Sequence, residues 1–400
     1  MKICILTPRF PFPENGGDVL RINNIARYLK TRGHSLVLVS LATECNPDID
    51  SARQLYDGVY VKQHHRIHSF VHSAIHMLKG KPMQCGYYYS LAYRRLLRNV
   101  IAKEAPDLYI SHLLRMTPYL EYFGLQDKSI VEMTDALSKT YSLSSGAKGM
   151  SIKKIVYGIE KKLISRYEQK VIRTFPKVVL VSDADVEYLS QRASSGNVQS
   201  SSWAAARGSS LAMHTNGIDC MERVSQTYNT EKICFVGNMR TLQNQDAVLY
   251  FVNDIFPLIK QRIPAAKFYI VGAQPPQKIR SLASDDIIVT GFVDNLEATI
   301  SDSALAVAPV RVAAGIQNKV LVAMGCGLPV VMTSLISRAI PELSNSHNCF
   351  ISDDASSFAL SCVNLMTNRS MRDAMGAKGY DMVSMHYSWS ETLNGYEQIL

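Results

Sequence analysis

Two cations flank a predicted turn between a buried strand and a helix in the second half of the chain. Arg311 follows the apolar run Leu305–Ala308, and Lys319 falls in the first turns of a helix predicted over Gly315–Gly325. A helix amino terminus carries unpaired N–H groups and a partial positive charge, so cations beside it complete a site for phosphate groups. The pattern predicts a diphosphate pocket; the alternative is a pair of solvated surface charges.

Fixed positive charge of this kind suits the departure of a diphosphate leaving group. Groups that are already in place stabilise the charge that builds on the leaving group, and no proton transfer is needed. We expect Arg311, Lys319 and the N–H groups of Gly315 and Ile316 to serve this step.

A glycine-rich loop near the amino terminus is a second candidate for anion binding. The segment Glu14-Asn15-Gly16-Gly17-Asp18 precedes a predicted helix, and its glycines let the backbone approach a ligand closely. It has neither the Gly-x-Gly-x-x-Gly of dinucleotide sites nor the lysine of a P-loop, so a tight turn is the alternative. As an anion site, its amides are expected to oppose the two cations across a cleft.

Histidines supply further candidates. His112 follows the apolar run Leu108–Ser111, at the strand end where ligands bind in open α/β sheets, although a lone histidine is commonly structural. Four more recur every fourth residue: His64, His68, His72 and His76. His-x-x-x-His on a helix can bind zinc, but no nearby carboxylate or thiol completes a ligand set. We expect a polar, pH-sensitive face near an acceptor, and no metal site.

A basic amphipathic helix is predicted late in the first half. Residues 148–173 contain eight Lys and Arg against Glu160 and Glu168. Its predicted apolar side consists of Ile152, Ile155, Val156, Ile159, Leu163 and Ile164. Such a helix can lie on anionic lipid, at about 1 kcal/mol per cation. With the Tyr/Arg segment 87–98 it would suit a lipid-linked acceptor; an ordinary surface helix is the alternative. No nucleic-acid-reading module is recognisable.

The elements that must position these groups alternate between apolar runs and helical segments. At 400 residues the chain is long enough for two domains of about 150 residues, and 47% hydrophobic residues exclude a disordered chain. In the first half, strands are predicted at Lys2–Thr7, Leu36–Leu41, Leu108–Ser111, Ile130–Met133 and Val178–Ser182, and helices at Val19–Lys30, Tyr89–Lys103 and Ser151–Thr174. This alternation predicts a parallel sheet that is covered by helices.

The alternation restarts after an aperiodic segment at 193–210. Strands are predicted at Leu211–His214, Lys232–Val236, Phe268–Val271, Ile287–Thr290, Leu305–Ala308 and Pro329–Met332, and helices at Asn244–Arg262 and Gly315–Gly325. The fold class is therefore α/β, with two doubly wound units joined near Asn216–Asp219. We expect one domain over 1–217, a second over 218–380, and a helix over 381–400 that packs back on the first domain. Ser370–Leu400 is predicted to be helical throughout, with a turn near Tyr387.

Charge and cysteine usage restrict the partners and the compartment. Residues 1–200 hold 28 Lys and Arg against 17 Asp and Glu, whereas residues 201–400 hold 15 against 17. The basic half predicts a surface that faces something anionic. Eight scattered cysteines without a Cys-x-x-Cys pair predict buried thiols and no disulfides. The chain has no recognisable secretion signal, so we expect a cytoplasmic protein, peripheral on the inner face of the cell membrane where the basic half binds lipid.

The segment GIQNKVLVAMGCGLPVV resembles the nucleotide-sugar loop and helix of retaining family-4 glycosyltransferases, in particular bacterial sugar transferases of exopolysaccharide and exosortase-associated loci. Similar segments are PRFPFPENGGDVLRINNIARYL (their Gly-Gly loop), LKGKPMQCGYYYSLAYRRLL (acceptor domain), NGID (interdomain strand end), FVGNMRTLQNQDAVLYFVNDIFPLI (start of the donor domain) and VTGFVDN (base-contacting loop). The resemblance implies a GT-B fold, with two Rossmann-like domains facing a cleft. It places the acceptor in the first domain (1–217) and the nucleotide-diphosphate sugar in the second (218–380), and it implies neither metal nor cofactor.

The resemblance also implies site residues. His112 corresponds to a histidine near the donor sugar, and Arg311 and Lys319 to the diphosphate cations. The implied donor-binding residues are Gly16, Gly17, Gly237, Asn238, Arg240, Gly291, Phe292, Val293, Gly315, Ile316, Gln317 and Asn318.

The chain departs from the family's pattern at two positions. The family commonly carries two acidic residues eight apart, one contacting the donor sugar and one the ribose, where this chain has Ala314 and Val322. Each missing acceptor is worth roughly 1.5–3 kcal/mol if it is charged and buried. Gln317 and Asn318 are polar and could substitute in part.

The predicted function is transfer of a sugar from a nucleotide-diphosphate donor to a lipid-linked or growing surface polysaccharide, with retention. Because the family's two acidic residues are absent, a second function stays open: a catalytically inactive GT-B scaffold subunit of a glycan-assembly complex. A nucleotide-sugar epimerase on the same fold is the third reading, and it would need acid/base carboxylates in the cleft.

Overall fold

The computed structural model describes residues 1–14, 16–43, 46–64, 66–143, 152–195, 210–220, 229–311 and 317–400. They form two compact units, Met1–Asn216 together with Leu393–Leu400, and Gly217–Thr392. Each unit is built on one parallel sheet. The predicted α/β fold class is confirmed.

The sheet of the first unit has the strand order β3-β2-β1-β4-β5-β6-β7. Its strands are β1 (Lys2–Thr7), β2 (Ser35–Ala42), β3 (Gly58–Gln63), β4 (Leu108–His112), β5 (Ser129–Thr134), β6 (Lys177–Leu180) and β7 (Ser210–Met213). The central strands are apolar and buried along their length, because helices cover both faces of a doubly wound sheet. The strand order reverses between β1 and β4, and ligands bind at such a switch point.

Helices connect the strands of the first unit. They are α1 (Gly17–Thr31), α2 (Ile49–Leu55), α3 (Arg66–Leu78), α4 (Met83–Tyr87), α5 (Leu91–Glu104), α6 (Thr117–Phe123), α7 (Leu137–Leu143), α8 (Ile152–Thr174) and α9 (Asp183–Ser195). β3, whose side chains are all half-buried, is not among the predicted strands, because its alternation of polar and apolar residues is weak.

The sheet of the second unit has the order β10-β9-β8-β11-β12-β13 and reverses between β8 and β11. Its strands are β8 (Asn229–Val236), β9 (Lys267–Val271), β10 (Ile287–Gly291), β11 (Ser303–Ala308), β12 (Val330–Met332) and β13 (Phe350–Ile351). Its helices are α10 (Leu242–Tyr250), α11 (Phe256–Arg262), α12 (Gln277–Arg280), α13 (Leu296–Ile300), α14 (Asn318–Gly325), α15 (Ser334–Ser337), α16 (Ala355–Thr367), α17 (Arg369–His386) and α18 (Trp389–Thr392). A π-helical turn, Phe251–Ile255, separates α10 from α11 within the single helix that was predicted there.

The basic helix α8 differs from its predicted amphipathic pattern. Ile159, placed on the apolar side by the sequence, is 42% exposed, whereas Glu160 and Glu168 are buried. Glu160 accepts hydrogen bonds from the backbone N–H groups of Met83 and Gln84 at 2.8 and 3.0 Å, at the start of α4. Glu168 accepts one from the N–H of Ser138 at 3.1 Å, at the start of α7. Both carboxylates therefore satisfy free helix-terminal N–H groups, which an amphipathic pattern does not reveal.

The carboxy-terminal segment has the predicted turn near Tyr387, but the continuous helix predicted beyond that turn is absent from the described residues. α17 ends at His386, and Gly395 takes a left-handed conformation (φ 84°) before a short 3-10 turn at Tyr396–Ile399. That turn belongs to the first unit. The buried Tyr396 hydroxyl donates to Glu132 Oε1 at 2.7 Å, which fixes the chain end to β5.

Candidate functional site

A cavity of about 450 Å³ lies at the carboxyl ends of β1, β4 and β5 in the first unit. It is lined by Pro8, Arg9, Gly17, Asp18, Tyr88, Leu113, Arg115, Met133, Thr134, Asp135, Leu137, Val181 and Asn216. β1 and β4 are the strands between which the order reverses, so the cavity has the location that is expected of a ligand site in this architecture.

The cavity wall is polar and carries both signs of charge. The Arg9 guanidinium donates to the Asp18 carboxylate, and Asp18 lies in the first turn of α1. Burial raises the pKa of the Asp135 carboxyl, and the negative charge of Asp185 adds to that effect. Of the glycine loop, Gly17 lines the cavity and Gly16 takes a φ of 119°, which the absence of a side chain permits; Asn15 lies outside the described residues.

His112 ends β4 and is 1% exposed. Neither ring nitrogen has a hydrogen-bond partner among the described residues. Burial lowers the pKa of His112 to about 3; the Asp18 charge opposes this, while Arg21, Arg9 and Arg115 add to it. The imidazole is therefore neutral at physiological pH. It lies behind the cavity wall, next to Leu113, and is not among the residues that line it.

The backbone leaves two neighbouring strands of this unit in unusual conformations. Leu113 follows β4 with φ 68° and ψ 154°, and Thr134 ends β5 with φ 68°. Such positive φ values strain a residue with a side chain and concentrate at functional sites. Both residues line the cavity, so the strain coincides with the candidate site.

In the second unit, a half-buried cation lies at the switch point between β8 and β11. Lys319, in the first turn of α14, donates to Asn244 Oδ1 on α10, and its ammonium lies 5.2 Å from the Phe235 ring centre. Asn244 Nδ2 in turn donates to the carbonyl of Asn238, in the loop after β8, at 2.9 Å. Burial lowers the pKa of Lys319 to about 8. The polar groups of three elements therefore meet at one strand end.

Two glycines make room for this arrangement. A Cβ on Gly237 would lie 2.6 Å from the Asn244 amide nitrogen. A Cβ on Gly272, which follows β9, would lie 1.9 Å from the Gly237 carbonyl oxygen. Side chains at either position would displace the β8 loop that carries Asn238 and Arg240.

Arg311 is exposed and already has a partner. Its Nε and Nη2 donate to the Asp246 carboxylate at 3.1 and 2.6 Å, and its guanidinium lies 4.4 Å from the Tyr250 ring centre. A phosphate that binds Arg311 must therefore compete with Asp246 or add to that pair.

The remaining donor-binding candidates fall into three groups. Gly315 and Ile316, and the departure position Ala314, lie outside the described residues. Gln317 caps α14, where Asn318 is the first residue. Gly291 ends β10 with a φ of 73°, with exposed Phe292 and half-buried Val293 after it. Val322 packs against the core of this unit, so an apolar contact occupies the position of the family's second acid.

The histidine row does not form one helical face. His64 precedes α3, stacks on Tyr88 at 5.6 Å and contacts Ser69 Oγ at 3.0 Å, so it lies outside the helix that contains His68, His72 and His76. His72 and His76 both contact the Tyr89 ring, and nothing is described of the His68 side chain. Within the described part of the chain, no three His, Cys, Asp or Glu side chains converge as a metal site.

Several side chains of these two sites were not predicted as site residues from the sequence. Asp18 and Asp135 face the first cavity, Asn244 holds Lys319, and Asp246 holds Arg311. Asp135 comes shortly after a predicted strand end, and Asp18 is the last residue of the glycine loop; each position is a signal that could have identified the residue. For Asn244 and Asp246 no local signal exists, because their partners lie 75 and 65 residues away.

Comparison with known proteins adds to this description. Residues 230–368, within the second unit, match the family Glycosyl transferases group 1. Over 402 residues the chain is 22% identical to an uncharacterised 44.6 kDa protein of the cps region in Klebsiella pneumoniae, with 96% of each chain covered. It is similar in structure to sucrose-phosphate synthase from Thermosynechococcus elongatus (TM-score 0.66, 13% identity), with 100% of this chain and 98% of that chain covered.

The chain is also similar to Anabaena HepE, whose crystal structure contains UDP-glucose (TM-score 0.60, 12% identity; 100% of this chain and 98% of that chain covered). These comparisons confirm the predicted GT-B fold class and the resemblance to glycosyltransferases. Membership of family 4 and retention stay predictions.

Proposed function

We propose that this chain, whose second unit carries the Glycosyl transferases group 1 segment on a GT-B architecture, is a glycosyltransferase that uses a nucleotide-diphosphate sugar. The acceptor is a lipid-linked or growing surface polysaccharide, and the configuration of the transferred sugar is retained. A relative encoded in a cps region supports the choice of acceptor. The UDP-glucose complex of HepE supports the choice of donor.

One observation carries the proposal: the half-buried ammonium of Lys319 at the switch point of the second sheet. A cation in this position, beside the first turn of α14, is suited to a diphosphate. Its Asn244 contact is neutral, so no carboxylate has to be displaced when an anion binds. As the bond between sugar and diphosphate breaks, Lys319 stabilises the charge that develops on the leaving group.

We assign to the first unit the binding of the acceptor and of the reacting end of the donor sugar. Asp18 and Asp135 can accept hydrogen bonds from sugar hydroxyls in the 450 Å³ cavity. His112 is neutral because of its burial and does not line the cavity, so we assign it a position behind the cavity wall, next to Leu113, and no direct contact with the sugar.

Isothermal titration with UDP, GDP, ADP and dTDP tests the donor site. Lys319→Ala is expected to weaken binding of the preferred nucleotide by about 1.5–3 kcal/mol, since a charge-assisted contact is lost. Arg311→Ala is expected to weaken it less, because Asp246 already compensates that charge. Arg369→Ala is the matched control, an exposed cation of the same unit that pairs within α17. Unchanged affinity in both site variants would remove the assignment.

A donor screen with mass detection of the product then identifies the transferred sugar. Activity is expected to persist in EDTA, because Lys319 and Arg311 supply the positive charge that a metal would otherwise provide. Loss of activity on chelation, with recovery on adding magnesium, would contradict the metal-independent mechanism.

A catalytically inactive scaffold subunit is the second candidate, and Val322 favours it. Its side chain packs against the core of the second unit and offers no oxygen to a ribose. A scaffold is expected to bind none of the nucleotides. If nucleotides bind weakly, Val322→Glu tests the position: tighter binding would show that the loop retains the family's geometry, and equal or weaker binding would show that the ribose is held by other groups.

Peripheral association with anionic membrane is proposed for α8. Its exposed cations Lys162, Arg166 and Arg173 share the helix with exposed Tyr157 and Ile159. Within the described residues, no helix is both long and apolar enough to span a bilayer. Co-sedimentation with phosphatidylglycerol vesicles is expected to fall with salt, since the Debye length shrinks from about 8 Å at physiological salt to about 3 Å at 1 M.

The variant Lys162→Gln/Arg166→Gln/Arg173→Gln is expected to lose most of this binding. Its control, Arg262→Gln/Lys278→Gln/Arg280→Gln, removes three exposed cations from the second unit. Equal sedimentation of the two variants and the parent would leave α8 as an ordinary surface helix.

A further inference from the structure

A second polar cavity of the first unit, about 530 Å³ in volume, is separate in its lining from the one at the strand ends. It lies between the end of α3, the start of α5 and the helix α6. Its walls consist of His72, Ile75, His76, Lys79, Lys81, Tyr89, Leu91, Arg94, Pro118, Glu121 and Tyr122.

The charge of this cavity is predominantly positive. Lys79 and Lys81 flank Gly80, whose φ of 68° turns the chain at the end of α3. Neither ammonium has an ion-pair or hydrogen-bond partner among the described residues. The one carboxylate of the wall, Glu121, pairs through Oε2 with Lys170, 2.8 Å away, while its buried Oε1 has no hydrogen-bond partner among the described residues. The lysines are therefore uncompensated cations at the mouth of a pocket.

Two buried nitrogens of the wall also lack a partner. His76 is 8% exposed, and its Nδ1 has no hydrogen-bond partner within the described residues. The same holds for Nε of Arg94, whose Nη1 donates to the Tyr89 hydroxyl at 3.0 Å and whose guanidinium lies 4.2 Å from the Tyr122 ring centre. Burying a polar group without a hydrogen bond is unfavourable, so His76 and Arg94 each retain an unused donor in this wall.

We propose that this cavity, called here the α3–α5 pocket, binds the phosphate groups of a phosphorylated ligand. Lys79 and Lys81 would act as mobile point charges, Arg94 as a fixed donor held by its aromatic contact, and His76 as a donor from the buried wall. The pocket lies at the start of α5, where Ser90 caps the helix and the helix dipole adds positive potential. A carboxylate ligand would satisfy fewer of these convergent donors than a phosphate with three oxygens.

The identity of the ligand rests on the proposed function: a polyprenyl-linked acceptor carries a diphosphate, and the pocket would hold it. Ile75, Leu91 and Pro118 line the same cavity and provide apolar contact for the first part of a prenyl chain. The alternative source of the same chemistry is a phosphorylated glycan or free phosphate, for which this apolar contact adds nothing.

Ring signals of His72 and His76 in NMR spectra of the full chain report directly on the pocket. Titration with inorganic pyrophosphate is expected to shift these signals saturably. Lys79→Gln/Lys81→Gln is expected to weaken this binding by about tenfold or more, as for the loss of charge-assisted contacts. The control Lys103→Gln/Lys128→Gln removes two exposed cations of the same unit from outside the pocket and is expected to leave the affinity unchanged.

Farnesyl diphosphate separates the two sources. Tighter binding than pyrophosphate, lost in the Lys79/Lys81 variant, would identify a lipid-linked ligand; equal affinity would identify a free phosphate or phosphorylated glycan. Lys319→Ala, tested in the same titration, is expected to leave the His72 and His76 shifts unchanged, so failure of the donor-site assignment is distinguishable from failure here. Two results would contradict phosphate binding in the α3–α5 pocket. One is the absence of a saturable shift with either compound, and the other is equal affinity in the Lys79/Lys81 variant and the parent.

Discussion

Both sheets have positive φ values at the carboxyl ends of two neighbouring strands, but on opposite sides of the switch point and in different residues. In the first unit, Leu113 directly follows β4 and Thr134 ends β5, both with positive φ. In the second, Gly272 directly follows β9 and Gly291 ends β10, both with positive φ. Glycine adopts these conformations without strain, whereas a side chain makes them costly. Strand-end geometry in the first unit is therefore imposed by the surrounding structure, and in the second it is permitted by the sequence.

One ion pair of each unit shows a related contrast in burial. Arg21 Nε donates to Glu132 Oε2 at 2.8 Å, and both side chains are fully buried. Arg311 and Asp246 form a comparable contact at 2.6 Å with side chains that are 50% and 38% exposed. A buried pair holds structure because neither partner can be solvated alone, whereas an exposed pair exchanges readily with water or a ligand. The first unit thus uses its ion pair as a support, and the second keeps its arginine available.

Breaking each pair gives the largest expected contrast. Glu132→Gln leaves Arg21 as an uncompensated buried charge and is expected to lower the free energy of unfolding of the first unit by about 3–5 kcal/mol. The matched change Asp246→Asn is expected to cost the second unit no more than about 1 kcal/mol. Hydrogen exchange of β5 and β11 amides measures each unit separately. Similar losses in the two variants would contradict the contrast.

Alanine at Gly272 tests whether the second unit depends on its glycines. Gly272→Ala combines a φ of 151° with a Cβ 1.9 Å from a carbonyl oxygen, and we expect a loss of about 3 kcal/mol. Gly291→Ala has a φ of 73° but open space around the new Cβ, so about 1 kcal/mol is expected. The measurement is the free energy of unfolding from exchange of β9 amides. Equal effects would mean that the close approach to Gly237 is readily relieved.

The converse substitution tests the strain at Leu113. Glycine normally destabilises by about 0.5–1 kcal/mol relative to alanine, but here Leu113→Gly is expected to be more stable than Leu113→Ala by about 1–3 kcal/mol. Both variants lose the leucine side chain, so the difference between their free energies of unfolding reports on the backbone conformation at this position. Hydrogen exchange of β4 amides measures the free energy of unfolding of both variants. If Leu113→Gly is less stable than Leu113→Ala, as is usual for glycine, the backbone at Leu113 is not strained.

The smallest effect concerns pH and the Lys319 ammonium. Burial places its pKa near 8, below the usual range, so the folded chain loses this proton as the pH rises through 8. Because the charged form binds the diphosphate, nucleotide affinity is expected to fall by about tenfold between pH 7 and 9. Lys319→Arg stays protonated across this range and is expected to bind independently of pH. A parent affinity that is equally independent of pH would mean that Lys319 does not contact the nucleotide.

The sequence by itself determined the fold class and the placement of most elements. Apolar runs such as Lys2–Thr7 and Phe268–Val271 are local signals, because a strand that is buried on both faces must be apolar along its length. The glycine loop before α1 and the cation at the start of α14 were also predictable, since strand-to-helix turns carry their own residue signature. By contrast, the short β13 and the π-helical turn at Phe251–Ile255 have no such signature and depend on packing.

Only the tertiary structure decided which side chains meet. The Glu132–Tyr396 hydrogen bond joins residues 264 positions apart, and it explains why the chain end belongs to the first unit. Likewise Arg311 and Lys319, eight residues apart in the sequence, have different partners and burial. Their partners Asp246 and Asn244 are two residues apart in α10 and therefore lie on different sides of that helix. Local propensity depends on near neighbours in the chain, whereas burial, charge compensation and pKa depend on groups that only folding brings together.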